Sequence, residues 1–81
     1  MYVFTIHSVS DPKAFWGGKL DLPAGTALPI VAPSADGTRG VCVFTSDSVD
    51  TVRGVVEAAT STISRNEYYA IDEASAMGLP V

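Results

Sequence analysis

Two kinds of hydrophobic pattern follow each other between Gly40 and Arg65. Residues 41–45, Val-Cys-Val-Phe-Thr, form an uncharged run that is typical of a central strand covered on both faces. After the polar residues 46–48, apolar residues recur at steps of three and four, which predicts an amphipathic helix. The apolar positions of this helix are Val49, Val52, Val55, Val56, Ala59 and Ile63. One buried strand therefore leads into one helix.

The N-terminal segment alternates with the period of a strand. The residues on one face are all apolar: Tyr2, Phe4 and Ile6. The other face is mixed and carries the only histidine of the chain: Val3, Thr5 and His7. Because both faces hold apolar residues, we expect both faces of the sheet to need cover.

A short first helix is predicted to begin at Pro12. Asp11 can accept hydrogen bonds from the unpaired amides of the first turn, and proline suits the first helical position. Helical spacing brings four apolar residues to one face: Pro12, Phe15, Trp16 and Leu20. The pair Gly17-Gly18 costs about 1 kcal/mol per glycine in a helix interior, so we expect the helix to end there.

The second strand is predicted at an edge of the sheet. After a loop over 21–26, residues 27–34 are largely apolar but include Pro29 and Pro33. Proline has no N–H to donate to a neighbouring strand, so a strand with two prolines belongs at an edge.

The dipeptide Asp36-Gly37 predicts a two-residue hairpin turn, because glycine readily adopts positive φ. Counting outward from that turn places Val31 opposite Cys42, and Pro29 opposite Phe44. The edge strand therefore pairs antiparallel with the central strand.

The segment after the main helix predicts one more strand and a final turn. Arg65 suits the end of the helix, and Asn66 suits a left-handed stop. Residues 67–71 then alternate between two pairs: Tyr68 with Ala70, and Tyr69 with Ile71. The signals for a last helical turn are Asp72 at its start, Met77 at its end, and Gly78 and Pro80 after it.

The predicted order is strand, helix, strand, strand, helix, strand, which is the ferredoxin-like βαββαβ arrangement of the α+β class. We expect one domain over residues 1–81, with a four-stranded antiparallel sheet and both helices on one face. The usual strand order of this fold puts the second strand at an edge. That agrees with the position inferred independently from Pro29.

This topology in so short a chain resembles the dimeric α/β-barrel proteins, in which two sheets pack face to face around a central cavity. Three segments are similar to the small nickel-binding proteins of that class: Ala-Asp-Gly-Thr at 35–38, Cys-Val-Phe at 42–44, and Ser-Val-Asp-Thr-Val-Arg at 48–53. His7 matches a histidine late in the first strand of that group. Val56 stands near the position of a second histidine of the group, so the resemblance implies a homodimer without its metal site.

Composition also favours self-association. The chain has 81 residues, of which 47% are hydrophobic and 17% are charged. A core of this size supplies few kcal/mol of net stability, and a second copy is the simplest cover for surplus apolar surface. One cysteine excludes an intramolecular disulfide and leaves no paired zinc-ligand spacing.

Charge and motifs exclude several classes of function. A net charge of −4 argues against nucleic-acid and anionic-membrane partners. No apolar run approaches the ~20 residues of a membrane span, and the N-terminus lacks the pattern of a signal peptide. No phosphate-binding loop or nucleophile motif is present. We therefore expect a cytoplasmic protein without a cofactor.

The candidate ligand-binding residues are His7, Trp16, Tyr68 and Tyr69. In a face-to-face dimer, the mixed face of the first strand is expected to line the interior, and the aromatic residues offer polar tips to orient a ligand. His7 is also the candidate residue for catalysis or metal binding. Cys42 has apolar neighbours, so we expect a buried, unreactive thiol.

Three hypotheses about function follow. The first is a non-catalytic homodimer that binds a small apolar or aromatic molecule in a cavity between the sheets. The second is a cofactor-independent oxygenase or isomerase of the barrel class, with His7 as proton acceptor. The third is a nickel or other transition-metal protein in which His7 and oxygen ligands hold the metal.

Overall fold

Four strands and two helices make up the described part of the chain, residues 1–79, in the computed structural model. In chain order they are β1 (Tyr2–Val9), α1 (Pro12–Gly17), β2 (Ala27–Pro33), β3 (Arg39–Thr45), α2 (Val49–Thr60) and β4 (Ser64–Ala70). The strand order across the sheet is β2-β3-β1-β4, and each pairing is antiparallel. The predicted α+β class is confirmed, and the strand order is compatible with a ferredoxin-like arrangement.

Both helices begin at the residues that the sequence indicates. Asp11 caps α1 by accepting a 3.2 Å hydrogen bond from the Ala14 amide. Ser48 caps α2 by accepting a 3.1 Å bond from the Thr51 amide. The end of α2 lies at Thr60, before the predicted Ile63, because the Ile63 amide donates to the Thr60 carbonyl in a tight turn.

The edge position of β2 is confirmed, and so is the pairing of Val31 with Cys42. The two-residue turn is wrong: the Ser34 amide donates to the Arg39 carbonyl, so residues 35–38 form a four-residue loop. Asp36 causes the longer loop, because its carboxylate accepts from the amide and the hydroxyl of Thr38. The predicted two-residue turn and the observed four-residue loop are both centred between Asp36 and Gly37. The pairing register of β2 with β3 is therefore the predicted one.

The predicted partner of Pro29 falls in an irregular part of the ladder. Between Ala27 and Ile30 the register of β2 against β3 shifts, so the regular pairing of Pro29 with Phe44 is not formed. A residue without an N–H is the natural place for such a break.

The C-terminal predictions need two corrections. Arg65 and Asn66 lie inside β4 rather than at a helix end, and among residues 1–79 only glycines have positive φ. Asp72 starts one turn, in which its carbonyl accepts from the amides of Ser75 and Ala76, but no helix forms. Gly78 has the left-handed φ of 79° that suits the end of such a turn. Pro80 lies outside the described residues.

The helices cover one face of the sheet and leave the other face open. The core beneath the helices consists of Val3, Cys42, Phe44, Val52 and Val56. The apolar residues of the open face are Tyr2, Phe4, Ile6, Ile30, Ala32, Val41, Val43 and Tyr69, as the strand pairing shows. Val41 and Tyr69 are 42% and 44% exposed. The prediction that β3 is covered on both faces therefore holds for only one face of a single chain.

Candidate functional site

A pocket of about 230 Å³ lies between the sheet and the two helices. Most of its walls are apolar, and they include Phe15, Trp16, Leu28, Phe44, Val56 and Ala59. The loop after α1 adds Gly18 and Lys19, and both are exposed. The site is therefore a largely apolar cavity with Lys19 at its exposed margin and two buried polar residues, His7 and Thr60, in its wall.

Trp16 fixes α1 over the hairpin and so forms one wall of the pocket. Its indole Nε1 donates a 2.8 Å hydrogen bond to the carbonyl of Gly37. A Cβ at position 40 would collide with the indole ring, so only glycine at that position lets the ring lie against β3. The short helix is thereby held in place although none of its residues is fully buried.

An aromatic cluster lines the pocket where α1 meets β1. The ring centroids of His7 and Phe15 are 4.9 Å apart, and those of Phe15 and Trp16 are 4.5 Å apart at an interplanar angle of 73°. Tilted and edge-to-face pairs of this kind are favourable geometries for aromatic rings. His7, Phe15 and Trp16 therefore form an aromatic part of the pocket wall.

Both ring nitrogens of His7 are engaged by protein groups. Nε2 lies 2.8 Å from Thr5 Oγ1, and Nδ1 lies 2.6 Å from Asn66 Oδ1. The side-chain amide nitrogen of Asn66 donates to Glu57 Oε2 at 2.8 Å, so the Asn66 oxygen is the acceptor and Nδ1 carries a proton. The His7 side chain is 1% exposed, and it packs as a fully bonded core residue.

The hydroxyl of Thr5 allows His7 to remain neutral. It lies 2.8 Å from His7 Nε2 but 3.3 Å from the Cys42 carbonyl, so the shorter bond to the ring is the better use of its single proton. Burial lowers the pKa of His7 below its ordinary value of 6.5, against smaller upward effects of Asn66 and Glu57. Neutral imidazole then donates from Nδ1 to Asn66 Oδ1 and accepts at Nε2 from the Thr5 hydroxyl.

Glu57 is the negatively charged member of the hydrogen-bond network around His7. Its carboxylate accepts from the Tyr68 hydroxyl and from the Asn66 amide. The Tyr68 bond, followed by the Asn66 bond, lowers the pKa of Glu57 below its ordinary value. Burial, followed by the bond to Glu57, raises the pKa of Tyr68. The polar chain therefore runs from β4 through α2 to the centre of β1.

Acid is expected to destabilise the fold through His7. Its pKa is lowered in the folded state, so the unfolded chain binds the proton more readily, and the free energy of unfolding falls as pH drops through 6.5. Melting temperatures between about pH 8 and about pH 5 should fall more steeply for the wild type than for His7→Gln. A wild-type melting temperature that rises toward acid would contradict a neutral buried His7.

The four predicted ligand-binding residues do not meet in one place. His7 and Trp16 line the pocket. Tyr68 lies on the same face of the sheet, where it packs against the core with its hydroxyl on Glu57. Tyr69 lies on the open face, where it stacks on Phe4 at 5.1 Å and donates to Glu67.

The predicted orientation of His7 is wrong. It was expected to line the space between two sheets, but it lies under the helices among Phe15, Trp16 and Thr60. The physical reason is its need for two hydrogen-bond partners. Thr5 on β1 and Asn66 on β4 provide them beneath the helix layer.

The sequence does not indicate a role in the site for three residues of the hydrogen-bond network: Thr5, Glu57 and Asn66. Asn66 was assigned to the end of the helix, which removed it from the sheet. Starting the last strand at Ser64 would have placed Asn66 beside His7, as the pairing of β1 with β4 does. Glu57 carries no local signal, because its role depends on partners from another element.

Cys42 is 5% exposed and faces the pocket side of β3. Burial raises the pKa of its thiol to about 11, so almost none of it is thiolate near neutral pH. The side chain therefore contributes to the walls of the pocket as a small apolar group.

No group of three or more His, Cys, Asp and Glu residues within 1–79 could hold a metal ion. A metal on His7 would have to displace Thr5 or Asn66 from the ring nitrogens. Within the same range, no helix is long and apolar enough to cross a membrane.

Comparison with protein-family models, with curated proteins and with solved structures found no match for this chain.

Proposed function

We propose that this protein binds a small apolar or aromatic molecule in the pocket between the sheet and the helices, as a homodimer with one pocket in each subunit. The observation that carries the proposal is the apolar pocket itself, with the rings of Phe15 and Trp16 in its wall. Ligand sites in proteins are commonly concave, mostly apolar and largely preformed.

The volume limits the size of the ligand. The pocket holds about 230 Å³, whereas an apolar cavity of about 150 Å³ is enough for benzene and drug-sized ligands fill about 300 to 1,000 Å³. One substituted ring fits between these limits. Lys19 and Gly18 at the exposed margin favour a ligand whose polar substituent points outward.

Binding is a better match to this geometry than catalysis. The oxygenase or isomerase hypothesis needs a His7 nitrogen that can accept a proton from the substrate, and the nickel hypothesis needs one that can hold a metal. Thr5 and Asn66 occupy both nitrogens. The described contacts therefore support neither of these alternatives.

A substitution that fills the pocket is expected to abolish ligand binding. Ala59 of α2 lines the pocket and is exposed, so Ala59→Phe can fill the cavity without adding strain to the core. The neighbouring Ala58 is exposed and is not among the lining residues, which makes Ala58→Phe a matched control. Titration with p-cresol, followed by the NMR shift of the Trp16 indole N–H, should show saturable binding to wild type and Ala58→Phe only.

Two outcomes of that titration would contradict the proposed ligand site. One is wild-type protein with no shift at millimolar p-cresol. The other is equal binding to Ala59→Phe and Ala58→Phe, which would place the ligand elsewhere. Acetate serves as the negative control, because it shares the polar end of a ligand but has no ring to bury.

The open face of the sheet is proposed as the dimer interface. With strands about 4.8 Å apart and a rise of about 3.3 Å per residue, four strands of this length present a footprint of roughly 450 Å². In a dimer, the flat footprints of the two faces add up to roughly 900 Å². Because side chains make each surface uneven, the accessible area buried is close to the ~1,000 Å² of a small specific interface. The apolar centre of the face is the proposed contact. The charged residues at one end, Arg39, Arg65 and Glu67, lie at its solvent-accessible rim.

A charge on this face is expected to separate the subunits. Val41 is 42% exposed on the open face, and Val31 is 52% exposed on the helix-covered side of the sheet. Sedimentation velocity at micromolar concentration should show dimers of wild type and Val31→Glu, but monomers of Val41→Glu. A stable wild-type monomer at that concentration would remove the dimer from the proposal and leave the pocket untouched.

A further inference from the structure

A row of two arginines and one serine crosses three strands at one end of the sheet. Ser8 of β1 pairs with Arg39 of β3 on one side and with Arg65 of β4 on the other. Directly paired residues share a face of the sheet, so the two arginines flank the serine, with their Cα atoms about 10 Å apart. All three lie at the margin of the open face.

Several N–H and O–H groups of this row have no hydrogen-bond acceptor among residues 1–79. Nη1 of Arg39 donates a 3.1 Å hydrogen bond to Ser8 Oγ, so its guanidinium reaches toward the centre of the row. The Ser8 hydroxyl proton has no acceptor among residues 1–79, and Arg65 has no hydrogen-bond or ion-pair partner there. Arg53, in contrast, is paired with Asp50 on α2.

The row opens into a groove of about 540 Å³. Hydroxyl groups are frequent along it, and its lining includes Ser8, Thr38, Arg39, Ser61, Thr62 and Arg65. No hydrogen bond within residues 1–79 uses the hydroxyls of Ser61 and Thr62, so they offer further donors. The groove therefore presents cationic and neutral donors together.

The nearby carboxylates keep their charge but accept hydrogen bonds from neutral groups and not from the two arginines. Glu67, two residues along β4 on the same face, accepts from the Tyr69 hydroxyl at 2.6 Å. Asp36 in the hairpin accepts from Thr38. The Thr60 carbonyl at the end of α2 accepts from the Ile63 amide and the Ser64 hydroxyl. None of these groups pairs with the row.

Two adjacent arginines with no ion-pair partner among residues 1–79 are unusual in a chain with nine acidic and only five basic residues. Each guanidinium presents a planar fork of N–H groups that matches phosphate oxygens in pairs. A singly charged carboxylate neutralises one arginine, whereas a phosphate with a charge approaching −2 neutralises both. The row therefore suits a doubly charged tetrahedral anion.

We propose that Arg39, Ser8 and Arg65 form a binding site for a phosphate group, carried by a phosphorylated small molecule or supplied as free phosphate. The site uses one chain only, lies at the end of the sheet, shares no lining residue with the apolar pocket, and does not depend on the ligand proposed for that pocket. Both guanidinium groups hold the phosphate, and the Ser8 hydroxyl donates to it.

The test compares three matched arginine substitutions in the full chain. Calorimetric titrations with inorganic phosphate and with phenyl phosphate are run on wild type, Arg39→Gln, Arg65→Gln and Arg53→Gln. Removing either arginine of the row takes away a charge-assisted hydrogen bond and should weaken binding about tenfold or more. Arg53→Gln should bind as the wild type does, and added salt should weaken every complex.

The comparison of ligands identifies the source of the phosphate. Tighter binding of phenyl phosphate than of inorganic phosphate assigns the groove to a phosphorylated molecule, and equal binding assigns it to free phosphate. Arg65→Lys keeps the charge without the fork and should fall between wild type and Arg65→Gln. Absence of binding at millimolar phosphate, or an equal loss in Arg53→Gln, would overturn the site. Unchanged melting temperatures of these exposed variants confirm that folding is not the cause.

Discussion

Val56→Asp is expected to abolish folding. The Val56 side chain is 2% exposed and packs in the core with Val3, Phe44 and Val52. An aspartate there has no partner, and burying it or its protonated form costs several kcal/mol. A domain of this size has a total stability near the lower end of about 5 to 15 kcal/mol. Circular dichroism of the variant should show the loss of the folded signal.

Two further aspartate variants of α2 serve as controls. Ala58 is exposed, so Ala58→Asp should fold with a melting temperature close to that of the wild type. Val55 and Val56 are both apolar positions of the predicted helix, but Val55 is only half-buried. Val55→Asp is therefore expected to weaken the fold without abolishing it. A folded Val56→Asp protein would show that the sheet and α2 do not share one core.

His7→Ala is expected to destabilise the protein by about 2 to 4 kcal/mol, as large-to-small core substitutions and unsatisfied buried groups do. The change empties the space of a buried ring and leaves Asn66 Oδ1 and Thr5 Oγ1 without their partner. Urea denaturation measures the loss directly as a lower midpoint.

His7→Phe separates the two contributions. Phenylalanine keeps a ring against Phe15 but cannot bond to Asn66 or Thr5, so this variant should also be less stable than the wild type. An unchanged midpoint in His7→Ala would contradict the structural role and return His7 to the list of candidate catalytic residues.

Local sequence signals predicted the fold because they acted within single elements. Asp11 and Ser48 each cap the helix that follows them, and Pro29 restricts its strand to an edge. The register of the hairpin followed from the position of Asp36-Gly37 alone. The error at Asn66 arose because its side chain bonds to other elements, whereas the error at the loop arose from local bonds between Asp36 and Thr38.

The candidate site was harder to predict because its contacts join distant elements. His7 and Asn66 are 59 residues apart in sequence, and no local pattern relates them. The mixed face of β1 predicts a surface that lines the space between two sheets, but Thr5 and Asn66 satisfy the histidine and turn that face into core. Phe15, in contrast, was placed on the correct helical face from its spacing to Pro12.

The location of a bound ring decides between a pocket under the helices and a cavity between two sheets. Nuclear Overhauser effects between p-cresol protons and methyl groups of the wild-type protein measure that location directly. We expect contacts to Leu28 and Val56, which line the pocket. Contacts to Val41 and Val43 of the open face, without any to Leu28 and Val56, would place the ligand between the sheets and contradict the proposed site.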